Sequence, residues 1–165
     1  MASRLITAVL GVSAIAGLLT PAESKPGSLV WNFTSSIPVG LYRIESVPWR
    51  NGDLVAIEPS AGLRDLLQRA GVLERDRLLL KRVAAIGGDT ICREGESVSL
   101  NGAFVAHARK VDATGASLPE WSGCRTLADE QVFLLGENPL SFDGRYFGPT
   151  AAEDILGPVR PLFRT

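Results

Sequence analysis

The chain opens on an uncharged apolar run, Leu5 to Ala22, preceded by Arg4, and no later stretch matches it. The run has about the length a helix needs to cross a bilayer core, at the short end of the range. Its basic flank predicts an amino terminus held in the cytoplasm and everything from about residue 25 onward outside. A cleavable signal peptide is the competing reading, because Thr20-Pro21-Ala22 ends in a small residue, but Thr and Pro before it make a poor cleavage site. A buried soluble helix would show one polar face, which this run lacks. Residues 1–24 are therefore read as a membrane anchor or uncleaved signal-like segment, and 25–165 as the working domain.

Beyond the anchor the pattern changes to short strands. Leu29–Phe33 and Gly40–Ile44 read as extended, with a bend at Ser36-Ile37-Pro38, since Pro38 biases Ile37 away from helix. Gly52-Asp53 marks a turn before the buried strand Leu54–Ile57. The best soluble helix follows Pro59-Ser60: Leu63, Leu66, Leu67 and Ala70 share a face, with Ser60 as cap and Gly71 as stop. Leu78–Ile86 is a long apolar strand interrupted by Lys81 and Arg82. Asn101-Gly102 between Ser97–Leu100 and Ala103–Val105 predicts a hairpin. Gln131–Leu135 is a buried strand, and Val159–Phe163 closes the sheet as an edge because of Pro158 and Pro161. His107–Ala128 has no pattern and is read as a loop or small excursion, part of an insertion near 92–130. The sum is a mainly β domain with one or two short helices.

Composition narrows the chemistry. With 165 residues and 45% hydrophobic content there is room for one compact core, and a net charge of −1 gives no reason to expect nucleic-acid binding. The single histidine, His107, argues against a His-based triad or a His-rich metal site, so neither metal nor cofactor is expected. Cys92 and Cys124 have no partner at metal spacing; they form a disulfide in an exported domain and stand as separate buried thiols in a cytosolic one.

A serine hydroxyl needs an adjacent base to attack, and a lysine serves if burial keeps it neutral. Strand alternation puts Lys81 on the face of Leu79 and Val83, and Arg82 on that of Leu80 and Ala84. One of these cations is driven toward an apolar face. On the strand alone, both also fit an edge protected against aggregation. Lys25, beside the anchor, and Lys110, in a turn-rich loop, are weaker rivals. A second polar cluster, Gly136 to Pro149, follows a buried strand directly. Ser141, Asp143 and Arg145 alternate in it, so an extended segment aims all three one way, and Ser141 could orient a neutral lysine amine. An ordinary turn with one Asp–Arg pair is the simpler alternative.

Three stretches in order, Asn32 through Tyr42, Lys81 through Asp89, and Gly136 through Pro149, make the chain similar to type I signal peptidases, specifically the TraF-type conjugal transfer peptidases. The resemblance implies an all-β catalytic domain with a small insertion, with Ser36 as nucleophile and Lys81 as general base. It implies that Thr34 helps the Ser36 N–H hold the oxyanion, and that Ser141, Asp143 and Arg145 support the lysine. The serine–proline spacing of general signal peptidases is met by Ser35; the single residue between Ser36 and Pro38, followed by Val39-Gly40-Leu41-Tyr42, fits the conjugation branch and selects Ser36. Glu137 stands where the family usually has Asp, and Gly144 where it usually has Ser.

The implied activity is cleavage of a pilin precursor, with head-to-tail cyclisation as an alternative fate of the acyl group. The enzyme would sit in a bacterial inner membrane, its catalytic domain in the periplasm, working with the conjugative transfer machinery and without a cofactor. A general signal peptidase acting on other exported pre-proteins and a non-catalytic assembly factor of a secretion channel are the rival readings. A self-cleaving repressor is disfavoured because a membrane segment stands where its DNA-binding domain would be. Asn32-Phe33-Thr34 also matches a glycosylation sequon, but a glycan there would crowd the oxyanion site.

Overall fold

Short β-branched segments separated by turn residues produce two antiparallel sheets with little helix. The computed structural model describes residues 27–72 and 77–164, so the expected anchor over 1–24 lies outside the described residues. Among the described residues, no helix is long and apolar enough to cross a membrane.

The larger sheet has the order β1-β2-β11-β3-β4-β9-β10. Its strands are β1 (Leu29–Asn32), β2 (Gly40–Ile44), β3 (Leu54–Ile57), β4 (Leu79–Ala85), β9 (Gln131–Leu135), β10 (Thr150–Ala151) and β11 (Ile155–Arg164). The smaller sheet, β7-β6-β5-β8, is built from β5 (Thr90–Glu94), β6 (Ser97–Leu100), β7 (Ala103–His107) and β8 (Gly123–Thr126). Helix α1 (Ala61–Arg69) follows β3, and a single helical turn, α2 (Gly144–Phe147), follows β9.

Both faces of the larger sheet carry buried apolar clusters. Val55, Ile57, Leu79, Val83, Phe133 and Leu134 join the main core with Leu67 of α1 and Ile91 and Val98 of the smaller sheet. Ile37, Tyr42, Ile44, Ala56, Leu80 and Val159 form a second cluster. Strand β4 runs between the two, since its successive residues Leu79 and Leu80 point to opposite faces and belong to different clusters. This double burial leaves a lysine on β4 with apolar neighbours on either side.

Four expectations are corrected. Residues 155–164 form an interior strand rather than an edge. The first part of β11 pairs with β3 and the rest with β2, and Pro158 and Pro161 fall at the change of partner and at a register shift, where a missing N–H interrupts no continuous ladder. The supposed loop 107–128 contains β8, whose Cys92–Cys124 pairing with β5 is closed by a disulfide. Ser60 occupies the amino-terminal cap position of α1, but its side chain makes no capping hydrogen bond. The cluster after β9 turns instead of continuing extended: Asp143 caps α2 by accepting from the Arg145 backbone N–H. The Asn101-Gly102 hairpin forms as expected, with Asn101 at φ 49°.

Candidate active site

The bend between β1 and β2 carries Ser36. Asn32, the last residue of β1, ties it down from inside. The Asn32 Nδ2 group donates to the carbonyls of Thr34 (2.7 Å), Ile37 (3.1 Å) and Pro38 (3.1 Å). Its Oδ1 accepts from the Thr34 N–H (3.2 Å) and the Thr34 hydroxyl (3.1 Å). Ile37 is buried under the bend, and the Tyr42 hydroxyl donates to the Pro38 carbonyl at 2.6 Å. The hydroxyls of Thr34 and Ser36 lie 3.0 Å apart on the outer side, where Thr34 is exposed and Ser36 half-buried.

Lys81 stands on β4, buried to 3% exposure, and its Nζ donates to Ser141 Oγ at 2.8 Å. Arg82, one residue on, points the other way, donating to the Gly52 carbonyl at 2.6 Å and pairing with Glu137. Alternation thus separates the two cations. Burial is the main force pushing the Lys81 amine down, from 10.5 to about 8; Asp143 pulls it up and Arg145 pulls it down. The opposed pulls have a structural cause. Asp143 is locked to Arg145 by bonds from Nε to Oδ1 (2.8 Å) and from Nη2 to Oδ2 (2.6 Å), and the bidentate pair offsets its own charge. A bare carboxylate in that position would hold the lysine charged.

The platform and the bend are joined through the backbone. The N–H groups of Glu137 (2.7 Å) and Asn138 (3.2 Å) donate to the Ser36 carbonyl. The Gly136 N–H donates to Asp143 Oδ2 at 2.7 Å, and Arg145 reaches the carbonyls of Asn138 (2.9 Å) and Pro139. Gly136 lies wedged in this junction. A Cβ there would collide with Ser141 Oγ, sit 2.5 Å from Ser141 Cβ and approach the Ser36 carbonyl to 3.0 Å, so only glycine fits without displacing one of them. Gly144 is similarly confined, with 2.7 Å between its would-be Cβ and the Leu134 carbonyl, so a serine at that position would force a shift.

Ser36, Thr34, Lys81 and Ser141 line one cavity of about 790 Å³, walled by Leu79, Leu80 and Phe142. Ser35 lines it too, with a long 3.4 Å contact from Asn138 Nδ2 to its hydroxyl. The structure therefore brings Ser36, Thr34, Lys81, Ser141, Asp143 and Arg145 into one site. Cys92 and Cys124 lie apart from it in the smaller sheet. Among the described residues, no cluster of His, Cys, Asp and Glu has the make-up of a metal site.

Three contributors, Asn32, Arg93 and Trp121, were not anticipated from the sequence. Asn32 was visible only as the start of the first family-like stretch and as part of a sequon, with no role of its own, although an Asn at a strand end before turn residues is itself a signal of an Asx turn. Arg93 of β5 is fully buried and donates from Nη1 to the Arg145 carbonyl at 2.7 Å, while Trp121 Nε1 donates to the Gly144 carbonyl at 2.9 Å. The smaller sheet and the loop before β8 thus grip α2 from behind. No local pattern marks a buried arginine whose partner lies far along the chain.

The family model for signal peptidase, peptidase S26, matches residues 2–163. The chain belongs to the signal peptidase S26 family. It is 32% identical to an Escherichia coli protein named plasmid transfer protein TraF, over 95% of this chain and 94% of that one. It is 32% identical to signal peptidase I V of Bacillus subtilis, over 50% of this chain and 56% of the relative. A crystal structure of a signal peptidase I from Enterococcus faecalis is similar at 19% identity and a TM-score of 0.40, covering 68% of this chain and 97% of that one. This S26-family chain is thus a peptidase related to conjugal transfer proteins.

Proposed function

We propose that the protein is a serine endopeptidase that processes a pilin precursor during conjugal transfer, through a Ser36/Lys81 dyad. One observation carries this reading: a lysine amine buried to 3% exposure, lowered to about 8 and held by Ser141, opens onto the same cavity as the half-buried Ser36. The similarity to plasmid and conjugal transfer proteins TraF supports the conjugal setting.

In this mechanism neutral Lys81 takes the proton of Ser36 as Oγ attacks the scissile carbonyl. Ser141, accepting one amine N–H, leaves the lone pair free to point elsewhere. The Ser36 N–H and the Thr34 hydroxyl receive the developing oxyanion. The lysine then returns the proton to the departing amine, leaving an acyl group on Ser36. Water, or the substrate's own amino terminus held close, resolves it to a linear or a circular product; proximity decides between them. The substrate docks as an added strand, with small residues near the cut. Residues 1–24 anchor the enzyme in the inner membrane with 25–165 in the periplasm.

Mass spectrometry of the candidate pilin in cells carrying wild-type, Ser36→Ala or Lys81→Ala protein tests the reading. Correct processing in both mutants would overturn the dyad and favour a non-catalytic assembly role. Loss of one water mass relative to the linear product would establish cyclisation. Processing of several exported proteins to linear products would favour a general signal peptidase, the activity named for the Bacillus relative.

A further inference from the structure

We infer that Asn32 is a positioning residue for the nucleophile, which acts through the Thr34 hydroxyl and sets where the Ser36 proton points before substrate arrives. This rests on the Ser36/Lys81 reading of the site.

Donor counting fixes the direction of each bond in the bend. The orientation of the Asn32 amide is set by its neighbours: the Nδ2 side meets three carbonyl oxygens and the Oδ1 side meets the Thr34 backbone N–H. Oδ1 can therefore only accept. The Thr34 hydroxyl, 3.1 Å away, must donate to it. A threonine has one hydroxyl proton, so the 3.0 Å contact between Thr34 and Ser36 has one possible direction: Ser36 donates and Thr34 accepts. The resting chain runs from Ser36 to Thr34 to Asn32. Its last member is buried at 7% exposure, where losing a partner costs most.

Two consequences follow for turnover. Ser36 must release Thr34 for its proton to reach Lys81. Thr34 can donate to an oxyanion only by turning its own proton away from Asn32. Asn32 thus holds the bend through the Thr34, Ile37 and Pro38 carbonyls, and also holds Thr34 in its accepting state until negative charge develops nearby. Asn32 touches neither the substrate nor the reacting atoms. The Nδ2 bonds hold the bend while the Oδ1 bond acts through the Thr34 hydroxyl, so the Oδ1 share of the Asn32 effect should fall on kcat and should vanish once that hydroxyl is gone.

The test is a double-mutant cycle on the full chain in detergent, using an internally quenched peptide with alanines on both sides of the scissile bond. The variants are Asn32→Ala, Thr34→Val and the pair, with Ser36→Ala as control. Thr34→Val should lower kcat on the order of a hundredfold, the scale of losing an oxyanion donor, and Asn32→Ala, which keeps that donor but leaves it unpositioned, should lower it by less, each with KM within about twofold. The pair should be no more than about threefold worse than the worse single variant. Effects that multiply, or a rise in KM at constant kcat, would overturn the inference. If Asn32→Ala does not fold, Thr34→Val decides alone: wild-type kcat there removes the route through its hydroxyl, and a selective kcat loss that Thr34→Ser restores supports it. Cleavage that survives Ser36→Ala would overturn the dyad reading together with this inference, whereas Ser36-dependent cleavage with multiplicative effects overturns only the role of Asn32.

Discussion

The two halves of the site are built for opposite relations to water. The bend that carries Ser36 is largely wet: Thr34 and Ser35 are exposed and Ser36 is half-buried. The platform that carries the proposed base is dry, with Lys81, Ser141, Asp143 and Arg145 all buried. A hydroxyl that must meet an extended peptide has to be open, and its reactivity can be borrowed from a neighbour. An amine acting as a base near neutral pH must be desolvated, since water would hold its proton. The dry half therefore needs a closed ion pair, while hydrogen bonds suffice for the wet half. Burial that tunes Lys81 is also a stability burden, which the bend does not carry.

Lys81→Met is the sharpest way to break this contrast. It should lower the cleavage rate by at least about 10⁴-fold, measured with the quenched peptide. The same variant should melt at a higher temperature than wild type at pH 7, because a buried cation is replaced by an apolar chain of similar length. The sign with pH is fixed by the depressed lysine. Between about 8 and 10.5 the unfolded chain keeps a proton that the folded chain has lost, so wild-type stability rises with pH in that window. The advantage of Lys81→Met, on the order of 3 kcal/mol, should shrink across it in parallel urea titrations. An advantage that does not change with pH would show that Lys81 is not the depressed group.

Asp143→Asn should act next most strongly, and on stability first. It strands the buried Arg145 cation, for a loss of about 3–5 kcal/mol in urea unfolding. It also removes the carboxylate that favours charged Lys81, so the residual activity should begin at lower pH than in wild type, whose rate rises as pH passes about 8. An unchanged pH midpoint would detach the platform from the base.

Ser141→Ala should cost about ten- to a hundredfold in kcat with little change in KM, since it removes a group that orients the amine without touching substrate. Ser35→Ala should have the smallest effect, under about threefold in kcat/KM, because only one long contact holds its hydroxyl. A loss comparable to that of Ser36→Ala would move the nucleophile one residue back and overturn the choice made on serine–proline spacing.

The contrast also explains what was legible in the sequence. Lys81 could be read because alternation on a strand is local: Leu79, Lys81 and Val83 share a face whatever the rest of the chain does. The Asn-Gly hairpin and the helix between Pro59 and Gly71 were legible for the same reason. The platform was recognised for an incomplete reason. Ser141, Asp143 and Arg145 do converge, but through a capped turn and not through the alternation of an extended segment. Strand β8 was missed because its residues, Gly123–Thr126, have no apolar pattern and are all exposed; only pairing with β5 makes them a strand. The interior place of β11 was missed because prolines normally argue for an edge, and a change of partner along one strand has no local signature.

By itself the sequence determined the residue types of the proposed dyad, the strand that aims Lys81 inward, the bend that carries Ser36 and, through its ordered motifs, the family. Those features depend on periodicity, turn chemistry and spacing, which act over a few residues. Tertiary structure alone decided how the halves meet: the Glu137 and Asn138 amides on the Ser36 carbonyl, the fit of Gly136 against Ser141, and the grip of Arg93 on α2. It also decided that Arg145 offsets Asp143 closely enough for burial to dominate Lys81. A charge balance of that kind depends on distances between residues far apart in the chain, and those distances exist only once the sheets have closed.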